Sequence, residues 1–271
     1  MKSILLHIEG DEGMEARIQF ALDLARSQNG HITCLQSVNF EIFAPGDFYG
    51  SAMAAALPAL QKAAEELRAK IEAQLSHEDV SWEWQYQPGM AETKLLEYAA
   101  LQDVIVVGPR DPGEKRRVAS IMVGELLLRS STPVLVIPPD WNGYDAKAPV
   151  LIAWNNSPES CAALRAAVPI LKNASRVILA SVTEDKERES QDFPAIEGSI
   201  YLSRHGITSE ILELPKGKAK VSDTLFEAAR THECVAMVMG GYGQMRITEA
   251  LFGGVTRRCL TDPQLPILLA H

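Results

Sequence analysis

The residues best placed to do chemistry in this 271-residue chain are glycines. Gly240-Gly241-Tyr242-Gly243 follows the apolar run Val235 to Met239, and nine residues later Gly253-Gly254-Val255-Thr256 opens the last helix-like segment. Glycine has no Cβ, so backbone N–H groups can come up to phosphate oxygens, and a helix N-terminus adds partial positive charge. Two such clusters bracketing one loop make a phosphate nest, to which Thr256 can add a hydroxyl and Arg246, Arg257 and Arg258 charge. The competing reading is that these glycines only make tight turns and allow close helix packing. No Gly-Lys-Ser/Thr follows, so this is not a P-loop. The GxGxxG dinucleotide turn is also absent, and it would follow the first strand rather than the fourth.

Other chemistry finds less support. The six histidines (His7, His31, His77, His205, His232 and His271) show no HExxH motif and no i, i+4 pair, which argues against a metal site. Ser157, followed by Pro-Glu, reads as a helix N-cap rather than a nucleophile. There is no GxSxG elbow and no Ser-Gly-Gly-x-Asp-Ser pyrophosphate loop, so no catalytic set is expected. Cys34, Cys161, Cys234 and Cys259 lack CxxC spacing and read as small core residues. Trp82 and Trp84 alternate on one strand, and core packing of both indoles is the expectation.

The elements that must position the glycines occur twice. Ser3 to Glu9 leads through a turn into the amphipathic stretch Met14 to Ser27, and Pro149 to Asn155 leads likewise into Ser160 to Lys172. Strands His31 to Val38 and Arg176 to Val182 follow. Asp103 to Gly108 matches Val235 to Gly240, and the halves end on Pro133 to Ile137 and Pro266 to Ala270. Apolar runs alternating with helix-length segments predict parallel sheets buried on both faces. The expected fold is α/β: two tandem doubly wound domains, each a five-stranded mainly parallel sheet flanked by helices. The expected boundaries are residues 1–138, a linker at 139–148 within the stretch Pro138 to Pro149, which carries three prolines, a glycine and polar residues, and residues 149–271. In the second helical position, the first half has Leu60 to Leu75 after a long connection (Phe40 to Ala54), and the second half has a shorter helix near Ala195 to Arg204. The final strands are short, apolar and last in each half, so they must be paired.

The composition, 46% hydrophobic and 23% charged, is that of a globular protein. A net charge of −9 argues against general binding of nucleic acid or an anionic membrane. That charge is unevenly divided: residues 1–138 hold 12 basic and 19 acidic side chains, and residues 139–271 hold 14 and 16. The half with the candidate phosphate nest is therefore nearly neutral. No apolar run reaches the ~18 residues of a membrane span, and sparse free cysteines without a cleavable leader fit a cytoplasmic protein.

Gly240-x2-Gly243-x9-Gly253, with Val-Met-Gly before it and Pro-Ile-Leu-Leu-Ala after it, resembles the adenine-nucleotide signature of the universal stress protein (UspA) family, in particular its bacterial two-domain members. The resemblance covers both halves. It implies that ATP or a related adenine nucleotide, with or without magnesium, binds the second half. Asn155 would then help hold the nucleoside, and the backbone near Val182 would contact adenine. Gly240 and Gly243 would lie on the ribose and phosphate side, and Gly253, Gly254 and Val255 under the phosphates beside Thr256. Two residues depart from the family pattern: Asn155 is an amide where the family usually has Asp, and Gly254 replaces a Ser or Thr. The resemblance also implies antiparallel pairing of the final strands, here between the halves as an intramolecular pseudo-dimer, with a homodimer as a further option. The function it implies is a stress-response regulator or sensor that hydrolyses ATP slowly at most.

The first half departs further. After Gly108 it reads Pro109-Arg110-Asp111, with Asp111 at the second glycine position and Ala119 or Ser120 at the third. A carboxylate there should repel phosphate, and no comparable site is expected; Lys115, Arg116 and Arg117 read as a solvated turn. The alternative for the whole chain is a nucleotide-independent scaffold or apolar-ligand-binding stress protein that uses the aromatic segment Phe40 to Ala54 as a contact surface.

Overall fold

Strands buried on both faces should read as continuous apolar runs, and edge strands should alternate. The computed structural model describes residues 1–38, 47–183, 196–215, 217–242 and 254–271, with the side chains of 47–56 and 183 left aside. Its first half runs β1 (Ser3–Ile8), α1 (Met14–Gln28), β2 (His31–Val38), α2 (Asp47–Leu75), β3 (Ser81–Pro88), α3 (Ala91–Ala99), β4 (Val104–Val107), α4 (Ile121–Arg129) and β5 (Val134–Val136). The second runs β6 (Val150–Ala153), α5 (Pro158–Leu171), β7 (Val177–Thr183), α6 (Glu197–Arg204), β8 (Glu210–Pro215), α7 (Val221–Thr231), β9 (Ala236–Gly240), α8 (Gly254–Thr261) and β10 (Ile267–Ala270).

All ten strands form one sheet in the order β3-β2-β1-β4-β5-β10-β9-β6-β7-β8. Interior strands such as β4 and β10 are buried throughout, whereas the outermost strands β3 and β8 alternate in exposure. Every pairing is parallel except the central one. There β5 meets β10 antiparallel, with Ile267 opposite Val136, Leu268 opposite Leu135 and Leu269 opposite Val134. The two strands that had to be paired thus pair with each other.

Helices α1, α2, α5 and α6 cover one face of the sheet around Phe20, Ile71, Leu164 and Leu202. Helices α3, α4, α7 and α8 cover the other around Leu95, Leu126, Leu225 and Leu260. Trp82 and Trp84 pack against the first of these cores, and Trp82 Nε1 donates to the Leu75 carbonyl at 3.2 Å. The segment 139–148 contains no strand or helix but is docked: Tyr144 is buried, its ring lies 4.8 Å from that of Phe20, and its N–H donates to Asp23 at 3.0 Å. Helix α2 starts at Asp47, thirteen residues earlier than the sequence pattern suggested, and carries Pro58 within it. Among the described residues no helix is long and apolar enough to cross a membrane.

One buried group makes the fold sensitive to acid. His7, on β1, is 2% exposed, and its Nε2 has no hydrogen-bond partner among the described residues. Burial, helped by the Arg17 charge, pushes its pKa down to about 3. The unfolded chain takes up a proton at this histidine below pH ~6.5 while the folded chain does not, so stability falls as pH drops through that value. By pH 5.5 the wild type should lose about 1.4 kcal/mol more than His7→Leu, read from urea unfolding at each pH. Parallel stability curves for the two proteins would remove His7 from this account.

Candidate functional site

In an open parallel sheet the strand carboxyl ends, where the strand order reverses, form a crevice. In the second half that reversal lies between β6 and β9, which pair with Ile152 opposite Val238 and Ala153 opposite Met239. This register brings Trp154 and Asn155 out beside Gly240. A cleft of about 620 Å³ opens there, within the range of small-molecule sites. Its lining includes Asn155, Val182, Gly240, Gly254, Val255 and Thr256. Gly243, Gly253 and Arg246 lie outside the described residues, as do positions 40–46 of the aromatic segment.

Each wall has a local cause. Asn155 Oδ1 accepts from the Ser157 N–H at 3.2 Å, turning the chain at Asn156, whose φ is 56°. Ser157 then caps α5, its Oγ accepting from the Ser160 N–H at 3.2 Å, so the N-cap reading holds. The first turn of α5 is pressed against the end of β9: a Cβ on Gly240 would lie 2.6 Å from Ser160 N and 2.7 Å from the Glu159 carbonyl carbon. Gly240 is therefore needed for close packing as well as for its place in the crevice. Gly254 is the opposite case, since a Cβ there would meet nothing within 4 Å among the described residues. Val182, on β7 opposite Leu214, and Ala180 form the apolar side, with Leu225 and Met239.

The cleft's charge differs from expectation. Among the described residues its only charged lining side chain is Glu159, whose Oε2 is buried with no hydrogen-bond partner. Arg257 and Arg258 do not line it. They belong to a larger groove of about 900 Å³ along α7 and α8, where Arg258 reaches Asp223 at 3.3 Å. That groove mixes arginines with Asp223, Glu227, Glu233 and Asp262 and lacks the strand carboxyl ends, so it presents no convergent set for one ligand. The described anion donors of the cleft are thus the backbone N–H groups opening α8, with the buried Thr256 beside them. Glu159, Ala153, Ala180 and Met239 were not anticipated, although the strand register implies the last three once β6 is aligned with β7 and β9.

At the equivalent position in the first half, Glu9 follows β1 as Asn155 follows β6, and burial together with Asp11 raises its pKa against the opposing effect of Arg17. Arg17, 1% exposed, fills the crevice. Its Nη1 pairs with Asp11 at 2.9 Å and lies 2.7 Å from where a Gly108 Cβ would be. Asp111 does not face open solvent as a repelling charge; it accepts hydrogen bonds at the start of α4. Arg116 and Arg117 are well exposed and pair with Glu114 and Asp262.

Other candidate chemistry is not assembled. Among the described residues no three His, Cys, Asp or Glu side chains group to hold a metal. Cys34, Cys234 and Cys259 are buried free thiols; burial pushes Cys34 and Cys259 up to about 12 and Cys234 up to about 11, so each stays protonated as a core group.

A family model described as the universal stress protein family matches residues 1–138. Among solved structures, a universal stress protein from Archaeoglobus fulgidus superposes with a TM-score of 0.74 at 15% identity, over 98% of this chain and 97% of that chain. A candidate universal stress protein from Pseudomonas aeruginosa gives 0.60 at 18% identity, over 100% and 93%. At such identities the likeness is one of fold. None of the curated proteins compared with the chain matches it. The matched family model, covering half of the sequence, establishes that this chain belongs to the universal stress protein family.

Proposed function

We propose that the chain is a tandem universal stress protein, with domains at 1–138 and 149–271 joined by 139–148, whose second domain binds ATP or a related adenine nucleotide. In this reading it acts in the cytoplasm as a stress-response regulator or sensor rather than a fast enzyme. The observation that carries the proposal is that Asn155, Val182, Gly240, Gly254, Val255 and Thr256, distant in sequence, line one cleft. The base would lie along Val182 and Ala180, with Asn155 at the nucleoside. The phosphates would meet the N–H groups of Gly254 and Val255, which replace the missing Ser or Thr hydroxyl by backbone donors. Magnesium accompanying the polyphosphate would offset its charge against Glu159. No described residue is placed as a general base, which is why a binding role is preferred.

Calorimetry of ATP with the wild type and with Gly254→Asp tests the reading. An acidic residue opening α8 suits the helix dipole and meets none of the described residues at its Cβ, so the melting temperature should hold or rise. The same carboxylate repels phosphate, and affinity should fall at least about tenfold. Absence of ATP binding by the wild type at millimolar concentration, or equal binding by both proteins, would remove the proposed site.

A further inference from the structure

The two halves offer the same helix terminus in two states. Helix α4 opens at Ile121, thirteen residues before Val134 of β5, and α8 opens at Gly254, thirteen before Ile267 of β10. Ile121 and Met122 therefore stand where Gly254 and Val255 stand in the other half. In the first half those two N–H groups are already engaged: Ile121 N donates to Asp111 Oδ2 at 2.9 Å and Met122 N to Asp111 Oδ1 at 2.9 Å. Ser120, 1% exposed, donates its hydroxyl to the same carboxylate and accepts from the Val123 N–H at 3.0 Å. One carboxylate thus takes three donors at a helix N-terminus, the arrangement a bound anion would have.

We propose that Asp111 is a built-in anion that occupies the ligand-phosphate position of the first half, leaving there a latent site for phosphate-type anions that the wild type keeps closed. The bond set favours this over simple repulsion. Asp111 lies ten residues before Ile121, too far for an ordinary N-cap, and Ser120 already fills that role. The loop from Pro109 to Ala119 folds back to deliver a second acceptor. The other end of the crevice is filled too, by Arg17 against Gly108, with its charge met by Asp11. The first half is therefore held in a ligand-like state by its own side chains, independently of whether the second half binds nucleotide.

The test is hydrogen exchange, by mass spectrometry, of peptides spanning 109–125 in the full chain, with inorganic phosphate against chloride at equal ionic strength. Asp111→Asn keeps the side chain's volume but not its charge, and Asp111→Gly restores the glycine of the second half's loop. In both variants the amides of residues 121–123 should exchange about fivefold faster, as loss of a cap predicts. Millimolar phosphate should slow them again, while the wild-type peptides stay indifferent to it. The proposal is overturned if phosphate protects the wild-type peptides equally, if the variants exchange like the wild type, or if phosphate leaves the variants unchanged.

Discussion

Gly240→Ala is expected to cost about 3 kcal/mol of stability and, with it, the nucleotide binding proposed for the second half. The added methyl would sit 2.6 Å from Ser160 N, 2.7 Å from the Glu159 carbonyl carbon and 2.8 Å from the Glu159 Cβ. Two of the three neighbours are backbone in the first turn of a capped helix, so relief requires moving α5 away from β9. That motion would break the Ser157 cap and shift the Asn155 turn, both of which shape the cleft. Gly254→Ala is the matched control, since its Cβ meets nothing within 4 Å among the described residues and alanine favours a helix. Urea midpoints should separate the two variants clearly. Equal stability would mean that the close approach of α5 to β9 is not a constraint on the fold.

The second large effect is at the seam. Leu268 lies opposite Leu135, both within 3% of full burial, on the one antiparallel pairing among the described residues. Leu268→Asp places a carboxylate where no water or partner can reach it, at a cost of at least about 4 kcal/mol, a large part of a domain's margin. The deficit should shrink in acid, because the buried carboxyl can then fold in its neutral form. Ile200→Asp, on the exposed side of α6 at 42% exposure, should change stability by less than about 0.5 kcal/mol. Soluble yield and urea unfolding read both, and a Leu268→Asp protein as stable as Ile200→Asp would show that the seam contributes little to folding.

These positions illustrate which parts of the fold a sequence exposes. The interior strands were legible because burial on both faces writes itself as unbroken apolar runs. That β5 and β10 need partners was legible because both are short, apolar and last in their halves; that they pair with each other was implied by the family resemblance. The start of α2 was not, because Pro58 and Gly50 punctuate a segment that the helix nevertheless crosses. In the cleft, glycines and strand ends were readable from local pattern, whereas Glu159 enters only through the path of α5. Asp111 was read only as a charge that would repel a phosphate, and the hydrogen bonds it accepts at the start of α4 were not visible in the sequence. Whether a carboxylate repels a ligand or replaces it depends on how an eleven-residue loop folds back, and that is not written in any short window. Arg17 was hidden for a related reason, since a helical arginine reads as surface unless a crevice is known to lie beneath it.

The antiparallel seam also decides what can change by mutation. Where two identical chains meet through such strands, every substitution appears on both sides, and a plugged crevice on one side means a plugged crevice on the other. Here both strands belong to one covalent chain, so their association is first order and survives dilution, and each side is encoded separately. Asp111 and Arg17 can therefore close the crevice of one half while the other keeps its glycines. Gly241 of the second half backs onto Leu127 of α4, at 3.3 Å from where its Cβ would lie, so the first half packs directly against the loop that leaves β9. Encoding both sides of the seam in one chain frees the fold from obligatory symmetry and lets the halves differ in what fills the end of each sheet.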